Sequence, residues 1–157
     1  GLDKVAVLDV DFHHGNGTQA IFYNRSDVLF LSLHGDPMHA FPHFLGHADE
    51  VGCSEGEGFN FNYPMPAGTS FSTWSRSLEL ALQQISKFGA DALIVSLGVD
   101  TFEKDPISFF KLSSDDFIKM GARIASLKLP TLFVMEGGYA VKEIGINTVN
   151  VLMGFEA

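Results

Sequence analysis

Cysteine is nearly absent: Cys53 is the only one in 157 residues. No intrachain disulfide can form, and nothing points to an oxidising compartment. Basic residues are also scarce. Lys plus Arg number 10 against 19 Asp plus Glu, a net charge of −9. Binding to phosphates wants a basic patch, so no nucleic-acid partner is expected. The acidic balance suits a cationic ligand. It is equally common in soluble cytoplasmic proteins, and a cytoplasmic location is the expectation. Long apolar runs are missing. None reaches the roughly 18 residues that span a bilayer, and no stretch reads as a secretory leader. No membrane partner is therefore expected. An initiating Met is lacking too. The chain opens at Gly1 and enters a strand-like run within four residues, so further sequence is expected upstream.

What is present is a core. The chain is 46% hydrophobic and 18% charged, with 15 Phe, a globular composition long enough for one domain. Apolar β-rich runs alternate with helical patterns. Strands are expected at Lys4 to Val10, Val28 to His34, Ala92 to Gly98 and Thr131 to Gly138. Helices are expected at Gly17 to Asn24, Ser72 to Gly89, Ser113 to Leu127 and Val141 to Met153. Gly35 to about Thr69 reads as one long loop, too long for a mere connector. Near-continuous apolar strands separated by helices predict an α/β domain, with a parallel β-sheet and helices on both faces.

In such folds ligands bind beyond the carboxyl ends of the strands. Those ends carry Asp9, Asp11 and His13, then Ser32 and His34, then Asp100, then Glu136 and Tyr139. Asp11 and His13 are two apart, so on an extended segment they share a face and can reach one ion. A carboxylate and an imidazole suit Zn²⁺, or Fe²⁺ in its place. The plainer reading makes Asp11 a turn residue and His13 a loop polar. Asp9 shares the face but sits deeper, where an ionised acid needs a partner. Asp100 could be a third ligand or could cap its loop. In "MEGGYA", Gly137 and Gly138 let the backbone pass close to a neighbour, and Tyr139 presents a hydroxyl able to donate to an oxyanion. The alternative is a strand-to-helix turn with Tyr139 packed beside it. His14 points away from His13 and reads as structural. His34, His39, His43 and His47 match no compact ligand set and read as lining or surface groups. Phe41 and Phe44 either wall an apolar slot or pack the loop. Cys53 has no base nearby and is given no role.

Taken together and in order, "DVDFHHGNGTQ", "SLHGDP", "FPHFLGHADE", "GVDTFEKDP" and "EGGY" resemble the histone deacetylase-like superfamily. "FPHFLGHADE", "GEGFNFNYPMPAGT" and "EGGYA" are most similar to its bacterial acetylpolyamine amidohydrolases. The resemblance runs almost end to end. It implies an arginase/deacetylase-like fold, of which residues 1–157 are the C-terminal part of a single catalytic domain. It implies zinc held by Asp11, His13 and Asp100, and Tyr139 hydrogen-bonding the substrate carbonyl. It implies Phe41 flanking the substrate tunnel, with Gly138 beside the substrate. It also implies a structural K⁺ at Asp9, Ser32 and Leu33, with Asp11 and His13, in part through main-chain carbonyls. A second monovalent cation maps to the carbonyls of Phe22, Arg25, Val28 and Phe59. The implied reaction is zinc-dependent removal of acetyl groups from acetylpolyamine or acetyl-lysine substrates.

The chain departs from the family in one respect. The tandem catalytic histidines lie upstream of the first ligand motif there, in a segment not found here, and His13 and His14 are not that pair. Asn16 stands where many deacetylases place an acid, although polyamine-type members also carry Asn. The isolated chain is therefore expected to be inactive, and its exposed sheet edge to favour homo-oligomers. Two other readings stay open: a non-catalytic metal- or partner-binding module of the same fold, and an arginase-like hydrolase with two Mn²⁺ ions.

Overall fold

The computed structural model describes all 157 residues. The parallel α/β fold is observed. Five parallel strands run in the order β3-β2-β1-β4-β5, as β1 (Val5–Asp9), β2 (Val28–Gly35), β3 (Asn60–Met65), β4 (Ala92–Leu97) and β5 (Thr131–Met135). Between them run α1 (Asn16–Phe22), α2 (Phe71–Phe88) and α3 (Ser114–Ala125), and α4 (Ile144–Glu156) follows β5. None of the helices is long and apolar enough to cross a membrane.

The core lies on one face of the sheet. Ala6 and Leu8 of β1, Leu29 and Leu31 of β2, and Leu93 and Val95 of β4 point into it. Alternate residues of a strand share a face, and these positions alternate accordingly. Helix α2 meets them with Trp74, Leu78, Ala81, Leu82 and Ile85, a spacing that puts one apolar stripe against the sheet. It stops at Gly89, whose left-handed φ of 71° lets its N–H donate back to the Ile85 carbonyl. Helix α3 begins at a capping box, in which the Asp116 carboxylate accepts the Ser113 N–H at 2.9 Å and its hydroxyl at 2.8 Å.

The other face is covered only in part. Helix α1 brings Phe22 over Val7, Val28 and Phe30. Beyond them the sheet is open, and on β5 Leu132 is 59% and Val134 40% exposed. Burial on β4 alternates instead of running continuously. The expectation of helices on both faces thus holds for β1 and β2 but not across the whole sheet.

The expected long loop is corrected as well. It contains β3 and a 3-10 turn at Ser54–Gly56. "NFNYPM" was hard to read as a strand because its inward Asn60 and Asn62 are polar and Pro64 breaks the β-like pattern. An edge strand tolerates Pro, since one side of its ladder is free. Helix starts also move, α1 to Asn16 from Gly17 among them. Helix α2 begins at Phe71 behind Ser70, not at Ser72, and α4 begins at Ile144, not Val141.

Candidate metal centre

Strands β1 and β4 are adjacent and parallel, with Asp9 level with Ser96. The segments leaving their carboxyl ends therefore emerge side by side. Asp11 and His13 come from one and Asp100 from the other. Nδ1 of His13 lies 3.3 Å from Asp11 Oδ1 and 3.0 Å from Asp100 Oδ2. One ligand atom from each of the three lies within 4.8 Å of the others. Main-chain donors orient both carboxylates. The Phe12 N–H donates to Asp100 at 2.8 Å, and the His13 N–H to Asp11 at 2.7 Å. Backbone crowding adds to this. A Cβ on Gly98 would overlap the Asp11 carboxylate, and one on Gly137 would come within 2.6 Å of Asp11 Oδ2 and 2.8 Å of Asp100 Oδ2. Glycine at these two positions leaves room for the acids.

The electrostatics favour a positive charge at this point. Burial raises Asp100 to about 6, with the Asp11 charge adding to the rise while the His13 contact opposes it. Burial alone would lower His13, but its hydrogen bonds to Asp100 and Asp11 dominate and lift it to about 9. Asp11 is also desolvated, yet its hydrogen bonds from His13 and Gly137 hold it below the ordinary value. A proton on His13 thus supplies the positive charge that the two carboxylates call for. Two carboxylates and one imidazole are a donor set that zinc accepts with a coordination position to spare, so the residues fit the metal.

Asp9 is buried below this triad. Its Oδ1 accepts the Asp11 N–H at 3.1 Å, and it makes no ion pair. Burial first, then the neighbouring Asp11 charge, holds it well above the usual carboxylate range. Beside it on β2, level in register, sits Ser32. Nε2 of His34 donates to the Gly46 carbonyl at 2.8 Å, so Nδ1 must accept, and Ser32 Oγ donates to it at 2.8 Å. The Ser32 lone pairs stay free. A buried acid beside a free hydroxyl oxygen suits a monovalent cation. The four residues of the second expected cation site bracket the amino ends of β2 and β3. Phe22 ends α1, Arg25 follows it, Val28 opens β2 and Phe59 precedes β3. Two of their carbonyls already accept main-chain N–H groups, Phe22 from Arg25 and Phe59 from Phe30, each at 3.0 Å.

Asp11 and His13 face a cavity of about 750 Å³, with Asp100 buried behind them. Tyr139, Phe41, Ile107, Met135 and Glu136 line it with Asp9, Asp11 and His13. The Phe41 ring lies 6.5 Å from that of His13. Phe44 is exposed and away from this wall. Gly137 lines the cavity, whereas Gly138 is set back, its absent Cβ falling 2.7 Å from Val99 Cγ2. His14 turns the other way, as expected. Its Nε2 donates to Gln19 Oε1 at 3.0 Å and Asn62 Oδ1 at 3.1 Å. The remaining loop histidines join no metal-ligating cluster.

The chain is similar to known proteins in sequence and fold. The chain matches the histone deacetylase domain over residues 1–154. The chain belongs to that family. It is 64% identical to acetylpolyamine amidohydrolase 2 of Pseudomonas aeruginosa over 99% of this chain and 45% of that protein. It is 62% identical to acetylpolyamine amidohydrolase of Mycoplana ramosa over 98% of this chain and 45% of that one. The crystal structure of acetylpolyamine aminohydrolase from Burkholderia pseudomallei superposes with a TM-score of 0.97 at 44% identity, covering 99% of this chain and 46% of that one. The chain thus spans slightly under half the length of these relatives.

Two features of the site were not read from the sequence. Asp105, in the loop after β4, accepts the Tyr139 N–H at 2.8 Å. Glu50 accepts from Gln19 at 2.7 Å and from the Gly46 N–H at 2.9 Å, tying the loop that carries Phe41 to β3 and α1. A buried Asp before Pro106 was a signal for a turn, and nothing in its spacing pointed to Tyr139.

Proposed function

We propose that residues 1–157 are the metal-bearing C-terminal part of a single deacetylase catalytic domain. That domain removes acetyl groups from acetylated amines, with small acetylpolyamines as the substrate class. The observation that carries this reading is the meeting of Asp11 and His13, at a cavity walled by Tyr139, with the fully buried Asp100. Zinc, or Fe²⁺ in its place, would there supply Lewis acidity towards the acetyl carbonyl and acidify water. Asp11, His13 and Asp100 would hold it. The Tyr139 hydroxyl would donate to the carbonyl oxygen as negative charge develops on it. Phe41 would flank the acylated chain. Asp9 and Ser32 would hold K⁺ beneath, balancing the buried acid. Glu136 at the cavity wall favours a cationic amine, and the relatives' names agree. His14 spends its Nε2 on Gln19 and Asn62, and on this reading it is not the proton-transferring base.

That last point favours a second reading, a non-catalytic metal- or partner-binding module. Hydrolysis of acetylputrescine and of an acetyl-lysine peptide by the zinc-loaded full-length gene product decides between them. Turnover that vanishes in Asp100→Ala supports the amidohydrolase. Stoichiometric zinc without turnover supports the module.

A further inference from the structure

We propose that Asp105 is a positioning residue for Tyr139, fixing the hydroxyl donor by gripping its main chain. The inference rests on the reading above, in which Tyr139 meets the substrate carbonyl. Tyr139 is 46% exposed, so packing does little to hold its ring. What sets the ring's place is the turn from Gly137 to Tyr139. Gly137 is tied at both ends, its N–H to Asp11 at 2.8 Å and its carbonyl to the Val99 N–H at 2.7 Å. The peptide of Tyr139 itself is held by Asp105 Oδ2 at 2.8 Å. The other oxygen, Oδ1, accepts the Ile107 N–H at 3.0 Å. Ile107 lines the same cavity. One carboxylate thus bridges two loops, those after β4 and after β5, at the rim of the site.

The grip is itself rigid. Asp105 is only 6% exposed, and its N–H donates to the Phe102 carbonyl at 3.0 Å. The adjoining Glu103 N–H donates to Leu112 at 2.8 Å. A carboxylate accepting two main-chain donors makes charge-assisted bonds with a fixed direction. Asparagine has one acceptor oxygen and one amide donor in the same place. It can satisfy one N–H only by setting a donor against the other. The turn then loses one anchor. A shift of about 1 Å at a reacting group is enough to cost roughly 10²-fold in rate.

The test uses the zinc-loaded full-length protein with acetylputrescine, comparing wild type, Asp105→Asn, Tyr139→Phe and the double variant. Asp105→Asn should lower kcat about 10- to 100-fold, with KM and zinc affinity little changed. In the Tyr139→Phe background the same substitution should cost no more than about twofold, because the group it positions is gone. Independent, multiplying losses would overturn the proposal, as would a matching loss of zinc affinity. Amide hydrogen exchange gives a readout that needs no activity. Asp105→Asn should speed exchange of the Tyr139 amide at least about tenfold while the amides of α2 keep their protection. Unchanged protection at Tyr139 would sink the idea. A wild-type protein that fails to hydrolyse acetylputrescine counts against the amidohydrolase reading, and exchange still decides whether Asp105 holds the turn.

Discussion

Asp11 Oδ2 accepts the Gly137 N–H at 2.8 Å, joining positions 126 apart in the chain. The carboxylate proposed to ligate a metal also anchors the turn that carries Tyr139. The acidic cluster and the tyrosine wall are therefore one mechanical unit, and a disturbance of either reaches the other.

Gly137→Ala should expose that unit. Its Cβ would press on the ligating oxygens of both Asp11 and Asp100. Zinc affinity should fall about 10- to 100-fold, the range typical of groups that orient metal ligands. Competition with a chelator measures it, and far-UV circular dichroism checks that the fold remains. An unchanged affinity would show that these carboxylates do not hold the metal.

Metal binding should release a proton. In the metal-free chain His13 is lifted to about 9, so it is protonated at pH 7. A ligating imidazole must be neutral. Calorimetry in buffers of different ionisation enthalpy should find about one proton released per zinc, with affinity rising up to roughly pH 9. Without metal, the His13 contribution to stability is complete below about pH 6.5 and lost as pH climbs through about 9. No proton release at pH 7 would remove His13 from the ligand set.

His34 predicts a loss of stability in acid. Burial lowers it to about 4, against about 6.5 in an unfolded chain. Between those values the unfolded chain binds more protons, so stability falls as pH drops from about 6.5 and levels near 4. The span is worth roughly 3 kcal/mol. Urea unfolding across this range should show the slope, and His34→Gln should flatten it.

The open side of the sheet predicts association. Strand β5 pairs only with β4, and Leu132 and Val134 stand exposed beside its free edge. The isolated chain should self-associate as concentration rises. Changing both residues to Lys should shift it towards monomer in sedimentation velocity. A wild-type chain that stays monomeric at about 100 μM would argue against this.

Much of this was legible in the sequence because it is local. Apolar runs marked four strands, and the spacing of Asp11 and His13 placed them on one face. The Ser113 start of α3 and the Gly89 stop of α2 follow from turn chemistry. Strand β3 was hidden because its inward residues serve a polar network with Gln19 and Glu50 in place of an apolar core. The Asp105–Tyr139 bond was hidden for another reason. It joins two loops 34 residues apart, and only the register of β4 with β5 brings them together. The open face beyond β4 was equally invisible, since strands of this composition look the same covered or bare.

The register of Asp9 with Ser96 has one more consequence. The segment from Asn16 to Asp91 leaves β1, adds β2 and β3 on its far side, and returns beside β1 as β4 at the same level. Its length does not enter the distance between His13 and Asp100. The loop between β2 and β3, Phe41 among its residues, can vary without entering the pairing of β1 with β4. What the protein admits and what it does to it are, in this architecture, separately heritable.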